Sequence, residues 1–211
     1  MLPGPTIIYK CPKCGNLLKS DSLLSGNTIG ACHYSDGKMT AMMMPEYPYI
    51  TKCEKCNELF WLEEECEVGT CKAWDESDSL YIKVSYANFL SIEEYFKALE
   101  TEGIIRNKGD ELYLRQRIWW GYNDRVRWKG KQLFINDDDR ILWKSNLERF
   151  LELLNKKDIN NLIMSAEIYR NLGDFEKCMS IIQSISDSDF ENVKDALIKE
   201  CNDRNTKVFR F

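Results

Sequence analysis

Two cysteine pairs, Cys11-Pro12-Lys13-Cys14-Gly15 and Cys53-Glu54-Lys55-Cys56-Asn57, constrain this chain more than any other feature. Two residues between cysteines let one tight turn aim both thiolates at the same ion. Gly or Asn after the second cysteine tolerates a left-handed backbone, which frees N–H groups to bond the sulfurs. Two such turns supply four sulfurs and leave no coordination position for water. The pattern therefore predicts one structural Zn2+ held by Cys11, Cys14, Cys53 and Cys56, not a catalytic metal. The second pair begins 39 residues after Cys14. Roughly 15 to 20 residues is the usual separation, and a hairpin insertion accounts for the excess.

Composition points to metal before disulfide. The chain has nine cysteines, an odd number, and its opening MLPGPTIIYK lacks the basic and apolar regions of a secretory leader. No apolar run approaches the roughly 18 to 20 residues that span a bilayer, so the expected setting is cytoplasmic, without membrane association. A redox role for the pairs would need a strand-to-helix context, and neither pair is followed by a helical pattern. Cys32 with His33 could replace a ligand, and Cys66 with Cys71 could make a second half-site, though no second pair accompanies it; read as ordinary buried or surface thiols, these cysteines need no metal. Cys178 and Cys201 fall on apolar helical faces and read as core. His33 is the one histidine, which removes nucleophilic devices built around another, and no catalytic residue is assigned.

Hydrophobic residues make up 44% and charged residues 30% of the chain, enough for a packed core. Three zones follow. Residues 1–75 hold both cysteine pairs and every proline. Within them Thr6–Lys10 and Leu59–Leu62 read as strands adjoining the pairs. Thr28–Tyr34 and Lys38–Met44 flank Ser35-Asp36-Gly37, a hairpin signal. Pro45 and Pro48 then lead an extended segment back to Cys53. Residues 76–90 read as a linker with a strand-like piece at Leu80–Val84. Residues 91–211 are helical. Ser91 and Glu94 form a capping box, Ile92, Tyr95, Phe96 and Leu99 repeat at helical spacing, and Gly103 suits the end. Further helices are predicted at about 110–128, 138–154, 158–172, 174–186 and 189–203. The fold class is α+β: a small β-rich zinc ribbon with a hairpin insertion, followed by an all-α domain.

Residues 162–185 resemble a tetratricopeptide repeat. Leu162, Ala166 and Tyr169 match its first helix, Leu172-Gly173-Asp174-Phe175 its turn, and Cys178, Ile182 and Ile185 its second helix. Across residues 11–127 the chain also resembles a family of uncharacterised bacterial proteins. The resemblance is carried by CPKCG at 11–15, SGNT at 25–28, SDGK at 35–38, PEYP at 45–48, CEKC at 53–56, FW at 60–61 and WWGYNDRVR at 119–127. It implies a zinc-ribbon-like N-terminus joined to helices, and it implies no activity.

Arg117, Trp120, Asp124 and Arg127 fall on one face of the second predicted helix and form a candidate ligand or partner surface, since Arg pairs bidentately with carboxylate or phosphate. The competing reading is that these charges pair along the helix while Trp120 packs against the ribbon. Acidic residues outnumber basic ones both in 1–75 and in 76–211, which disfavours nucleic acid without removing it. The expected role is a zinc-binding interaction or scaffold protein with a protein or peptide partner; the alternative is a nucleic-acid-binding zinc ribbon.

Overall fold

In the computed structural model, which describes residues 1–72, 83–128, 130 and 132–211, small sheets occupy the N-terminal half and helices the C-terminal half. The architecture is mixed α+β, as the sequence indicates. The strands are β1 (Leu2–Pro3), β2 (Thr6–Lys10), β3 (Leu17–Ser20), β4 (Leu23–Ser25), β5 (Cys32–His33), β6 (Met39–Thr40), β7 (Ile50–Lys52), β8 (Leu59–Trp61), β9 (Glu67–Cys71) and β10 (Ser85–Tyr86). The helices are α1 (Ile92–Glu100), α2 (Lys108–Arg127), α3 (Asp137–Leu153), α4 (Ile159–Asn171), α5 (Phe175–Ser184) and α6 (Glu191–Asn202). The chain divides into two units. The first comprises Met1–Ala31 and Thr40–Ile104, the second Cys32–Met39 and Ile105–Phe211.

The first unit is built on two hairpins. β2 and β3 pair antiparallel with Tyr9 opposite Leu18, and β9 and β10 extend them into a sheet of order β10-β3-β2-β9. β7 and β8 form the second hairpin, with Thr51 opposite Phe60. Alternation puts Ile8, Leu18, Ile50 and Phe60 in the core. α1 begins with the expected capping box: Ser91 accepts from the Glu94 N–H, and the Glu94 carboxylate accepts from the Ser91 N–H. Its buried positions are Tyr95 and Ala98. Lys52 on β7 pairs with Glu94, and Trp61 Nε1 donates to the Ile104 carbonyl at 2.9 Å.

Strand length in the insertion differs from expectation. Instead of Thr28–Tyr34 and Lys38–Met44, only Cys32–His33 and Met39–Thr40 form strands. Ile29 is 83% exposed and Met42 90%, so the flanks bury no apolar face that would fix longer pairing. The strand expected at Leu80–Val84 falls largely on residues outside those described.

The second unit packs helices around aromatic residues. Leu114, Ile118 and Tyr122, four residues apart on one face of α2, are fully buried, while Val126 is half-buried. They meet Trp143, Leu147 and Phe150 in a core where Trp119 and Phe150 pack edge to face at 6.0 Å. α4 and α5 are joined by a tight turn in which Gly173 takes φ +81 and Asp174 caps the Lys177 N–H. Ala166, Cys178, Ile182, Leu197 and Cys201 form a second buried cluster across α4, α5 and α6. No helix among the described residues is long and apolar enough to cross a membrane.

Asp139 at the start of α3 collects an unusual number of donors. Tyr122 Oη donates to it at 2.7 Å, the Ile135 N–H at 2.9 Å, and Arg125 closes an ion pair. Burial opposes ionisation here, but these donors outweigh it and hold the carboxyl below its usual range. A depressed folded-state value means stabilisation present above the unfolded carboxylate pKa and lost as pH falls through the folded one. Asp139→Asn is expected to lower unfolding free energy by about 1–3 kcal/mol at neutral pH. Urea titrations should show that difference beginning to shrink as pH falls below about 4, where the unfolded carboxylate is protonated, and vanishing at the lower pH where the native carboxylate is protonated too. A pH-independent difference would assign the effect to packing.

Candidate metal centre

Each hairpin of the first unit carries a cysteine pair at its tip, and the two tips repeat one another. In the first, the Cys11 N–H donates to the Asn16 carbonyl at 2.8 Å, and the Gly15 N–H to the Cys11 carbonyl at 3.0 Å. In the second, the Cys53 N–H donates to the Glu58 carbonyl and the Asn57 N–H to the Cys53 carbonyl, both at 2.8 Å. Gly15 at φ +71 and Asn57 at φ +59 supply the left-handed residue that closes each loop. Lys13 bridges from one tip to the other by pairing with Glu58 at 2.7 Å.

The two tips bring their sulfurs to one point. Cys11 Sγ lies 3.6 Å from Cys56 Sγ, Cys14 Sγ lies 3.6 Å from Cys53 Sγ, and all four fall within 4.8 Å of one another. A tetrahedron with metal–sulfur bonds of 2.3 Å has edges of about 3.8 Å, so the residues fit a four-coordinate ion with little adjustment. Cys11 and Cys53 are buried, Cys14 and Cys56 half-buried, and Leu18 and Phe60 pack beneath them.

Electrostatics in the cluster favour a cation. Burial pushes the Cys11 thiol up. At Cys53 burial acts the same way, but the Cys56 and Lys55 N–H groups overcome it and bring the thiol down to about 7. Cys56 moves oppositely: the Glu58 N–H favours its thiolate, but burial and the neighbouring sulfurs prevail and raise it to about 12. A divalent ion at the centre would favour the thiolate form at all four positions.

The remaining cysteines stand apart from this group. Cys66 packs against the cluster without being one of the four close sulfurs, and Cys71 Sγ donates weakly to the Thr6 carbonyl. Cys32 lies on β5. These placements bring only the predicted four together among the described residues.

The residues singled out on α2 are brought together around the Ser35–Lys38 turn, all within the second unit. Trp120 Nε1 donates to the Asp36 carbonyl at 2.9 Å and Asn123 Nδ2 to the Asp36 carboxylate at 2.8 Å. Arg127 pairs with both Asp36 and Asp124, and Lys38 reaches Asp124 at 2.6 Å. Arg117 stacks on the Trp120 ring at 5.4 Å. The Arg127 side chain is 1% exposed and the Asp36 side chain fully buried. Burial pushes the Asp36 carboxyl up, against the pull of Arg127, Asn123 and the Lys38 N–H.

Sequence reading missed a second buried polar group beside it. Glu167 and Arg170 of α4 pair at 2.6 Å, Ser35 Oγ donates to Glu167 at 2.7 Å, and Trp119 Nε1 donates to Asn171 at 2.8 Å. Arg170 also donates to the carbonyls of Asn205 and Lys207, and Asn171 to that of Thr206. Phe209 and Ser35 exchange hydrogen bonds, and the Phe211 N–H donates to the His33 carbonyl. Residues 205–211 thus lie as a strap across α4 and the Ser35 turn.

No family model, curated protein or solved structure matches the chain.

Removing one partner of a buried ion pair leaves the other charge uncompensated. Arg127→Met is expected to cost about 3–5 kcal/mol in urea unfolding. Adding Asp36→Asn should restore part of that loss. A double variant as unstable as the sum of the two single ones would mean that the two residues act independently.

Proposed function

We propose that Cys11, Cys14, Cys53 and Cys56 hold one structural Zn2+, that the unit carrying them is a zinc ribbon, and that the protein is an interaction or scaffold module. The observation that carries the reading is the convergence of four sulfurs within 4.8 Å from two matching hairpin tips. Four thiolates in a tetrahedron suit zinc better than hard cations, which prefer oxygen. They also complete its coordination, so the ion would hold the two hairpins together without activating water.

The helical unit would supply the binding surface. α4, its Gly173 turn and α5 support a repeat resembling a tetratricopeptide unit, in which the helix pair offers a concave face to a peptide. A groove of about 590 Å³ is lined by side chains including Lys144, Glu148, Leu151, Tyr169, Leu172 and Lys177. Its mixture of apolar and oppositely charged side chains suits a peptide segment better than a polyanion. Exposed parts of Arg117 and Asp124 would add to the partner surface.

The first test is elemental analysis of protein purified without chelator, beside the Cys53→Ser, Cys56→Ser variant. The expected result is about one zinc per chain, lost in the variant together with protease resistance of residues 1–72. Wild-type protein without zinc, or with iron in its place, would overturn the assignment. Nucleic-acid binding is checked by gel shift over a salt series, where a salt-steep shift would favour that alternative over a protein partner.

A further inference from the structure

A second pair of close thiols belongs to the helical unit. Cys178 of α5 and Cys201 of α6 are 23 positions apart, and their sulfurs approach to 3.2 Å, closer than any sulfur pair given above for the four-cysteine cluster. Both are free thiols in a buried apolar cluster with Ala166, Ile182, Ile185 and Leu197. No third metal-ligating side chain joins them among the described residues. Two sulfurs alone make a poor metal site, but they are one bond from a disulfide.

We propose that Cys178 and Cys201 form an oxidative modification site, taking hydrogen peroxide as oxidant and a thiol as reductant, whose product is a disulfide that staples α6 to α5. The inference is independent of the zinc assignment, since it uses none of the four clustered cysteines.

The fold sets the order of events. Cys178 sits in the first half of α5 with no exposed surface, whereas Cys201 is the penultimate residue of α6 and 4% exposed. Helix ends fray before helix centres, so opening of the last turn of α6 presents Cys201 to solvent first. Burial pushes both thiols up, which keeps them unreactive while that turn is closed. Once open, the Cys201 sulfur attacks the peroxide. The O–O bond breaks, one oxygen stays as Cys201 sulfenic acid, and the other leaves as water. When the turn closes, the Cys178 sulfur attacks the Cys201 sulfur and the S–O bond breaks. The departing hydroxide takes the Cys178 proton as a second water. Overall, two thiols and one peroxide give one disulfide and two waters, and an external thiol reverses the bond by exchange.

The staple would also reach beyond the helix pair. Arg204, three residues after Cys201, takes φ +52 where the chain turns into the strap. Fixing the end of α6 would hold that turn in place.

The test treats the full chain, as purified, with hydrogen peroxide, quenches in acid, alkylates free thiols after denaturation and maps peptides by mass spectrometry. The expected product is a Cys178–Cys201 linked peptide, lighter by two hydrogens than its parts and lost on reduction. Under the same treatment Cys178→Ser should accumulate sulfenic acid at Cys201, captured by dimedone, whereas Cys201→Ser should leave Cys178 as a free thiol. Recovery of both residues as alkylated thiols in wild-type protein, after doses that oxidise Cys14 or Cys56, would overturn the proposal. So would dimedone capture at Cys178 ahead of Cys201. The wild-type map decides the bond even if a serine variant folds poorly.

Discussion

Four thiols within 4.8 Å of one another set the terms for the first unit. Its hairpins are short, and a two-stranded hairpin alone is marginal in water. Leu18 and Phe60 pack directly beneath the sulfurs, and the rest of the unit's apolar core, including Ile8, Ile50, Tyr95 and Ala98, is supplied by other strand positions and by α1. Ionised sulfurs would push the tips apart, and neutral ones offer only weak hydrogen bonds. A cation held there, as proposed, would reverse that sign and turn the most repulsive point of the unit into its strongest link. Under that proposal, metal affinity and folding of the first unit would be one free energy measured in two ways.

The second unit solves a different problem with buried charge. Its Ser35–Lys38 turn is short and polar, so apolar burial cannot define where it docks. Asp36 against Arg127 and Ser35 against Glu167 define it instead, through directional bonds that fail if the turn shifts by one residue. Such pairs add little net stability over a well-packed apolar core, and specificity of docking is the reading that fits their placement here.

Legibility in the sequence followed range of interaction. Cysteine spacing reports a local turn, and both tips adopt it. Capping residues Ser91 and Asp174, and stripes such as Leu114, Ile118 and Tyr122, also act within one or two turns of chain, so helix positions came through to within a few residues. Strands β3, β7 and β9 carried no comparable signal, because what makes Glu67–Cys71 a strand is Thr6–Lys10, some sixty residues earlier. Glu167 and Arg170, three apart, look like an ordinary surface pair until a distant turn and strap cover them. No helical pattern in the sequence reveals that α2 receives Asp36 from more than eighty positions upstream.

The strap at 205–211 is gripped through its peptide groups. Arg170 and Asn171 take three successive carbonyls, while Ser35 and His33 engage the amide groups of Phe209 and Phe211. Thr206 and Lys207 point outward as exposed side chains, so drift in their identity would pass almost unfelt. Proline at 209 or 211 would be another matter, since each of those sites must present an N–H. Natural variation at 206 and 207 should therefore be wide in side-chain chemistry yet narrow in backbone type, whereas Phe209 is also held by its ring, packed on the α4–α6 cluster and under Arg170.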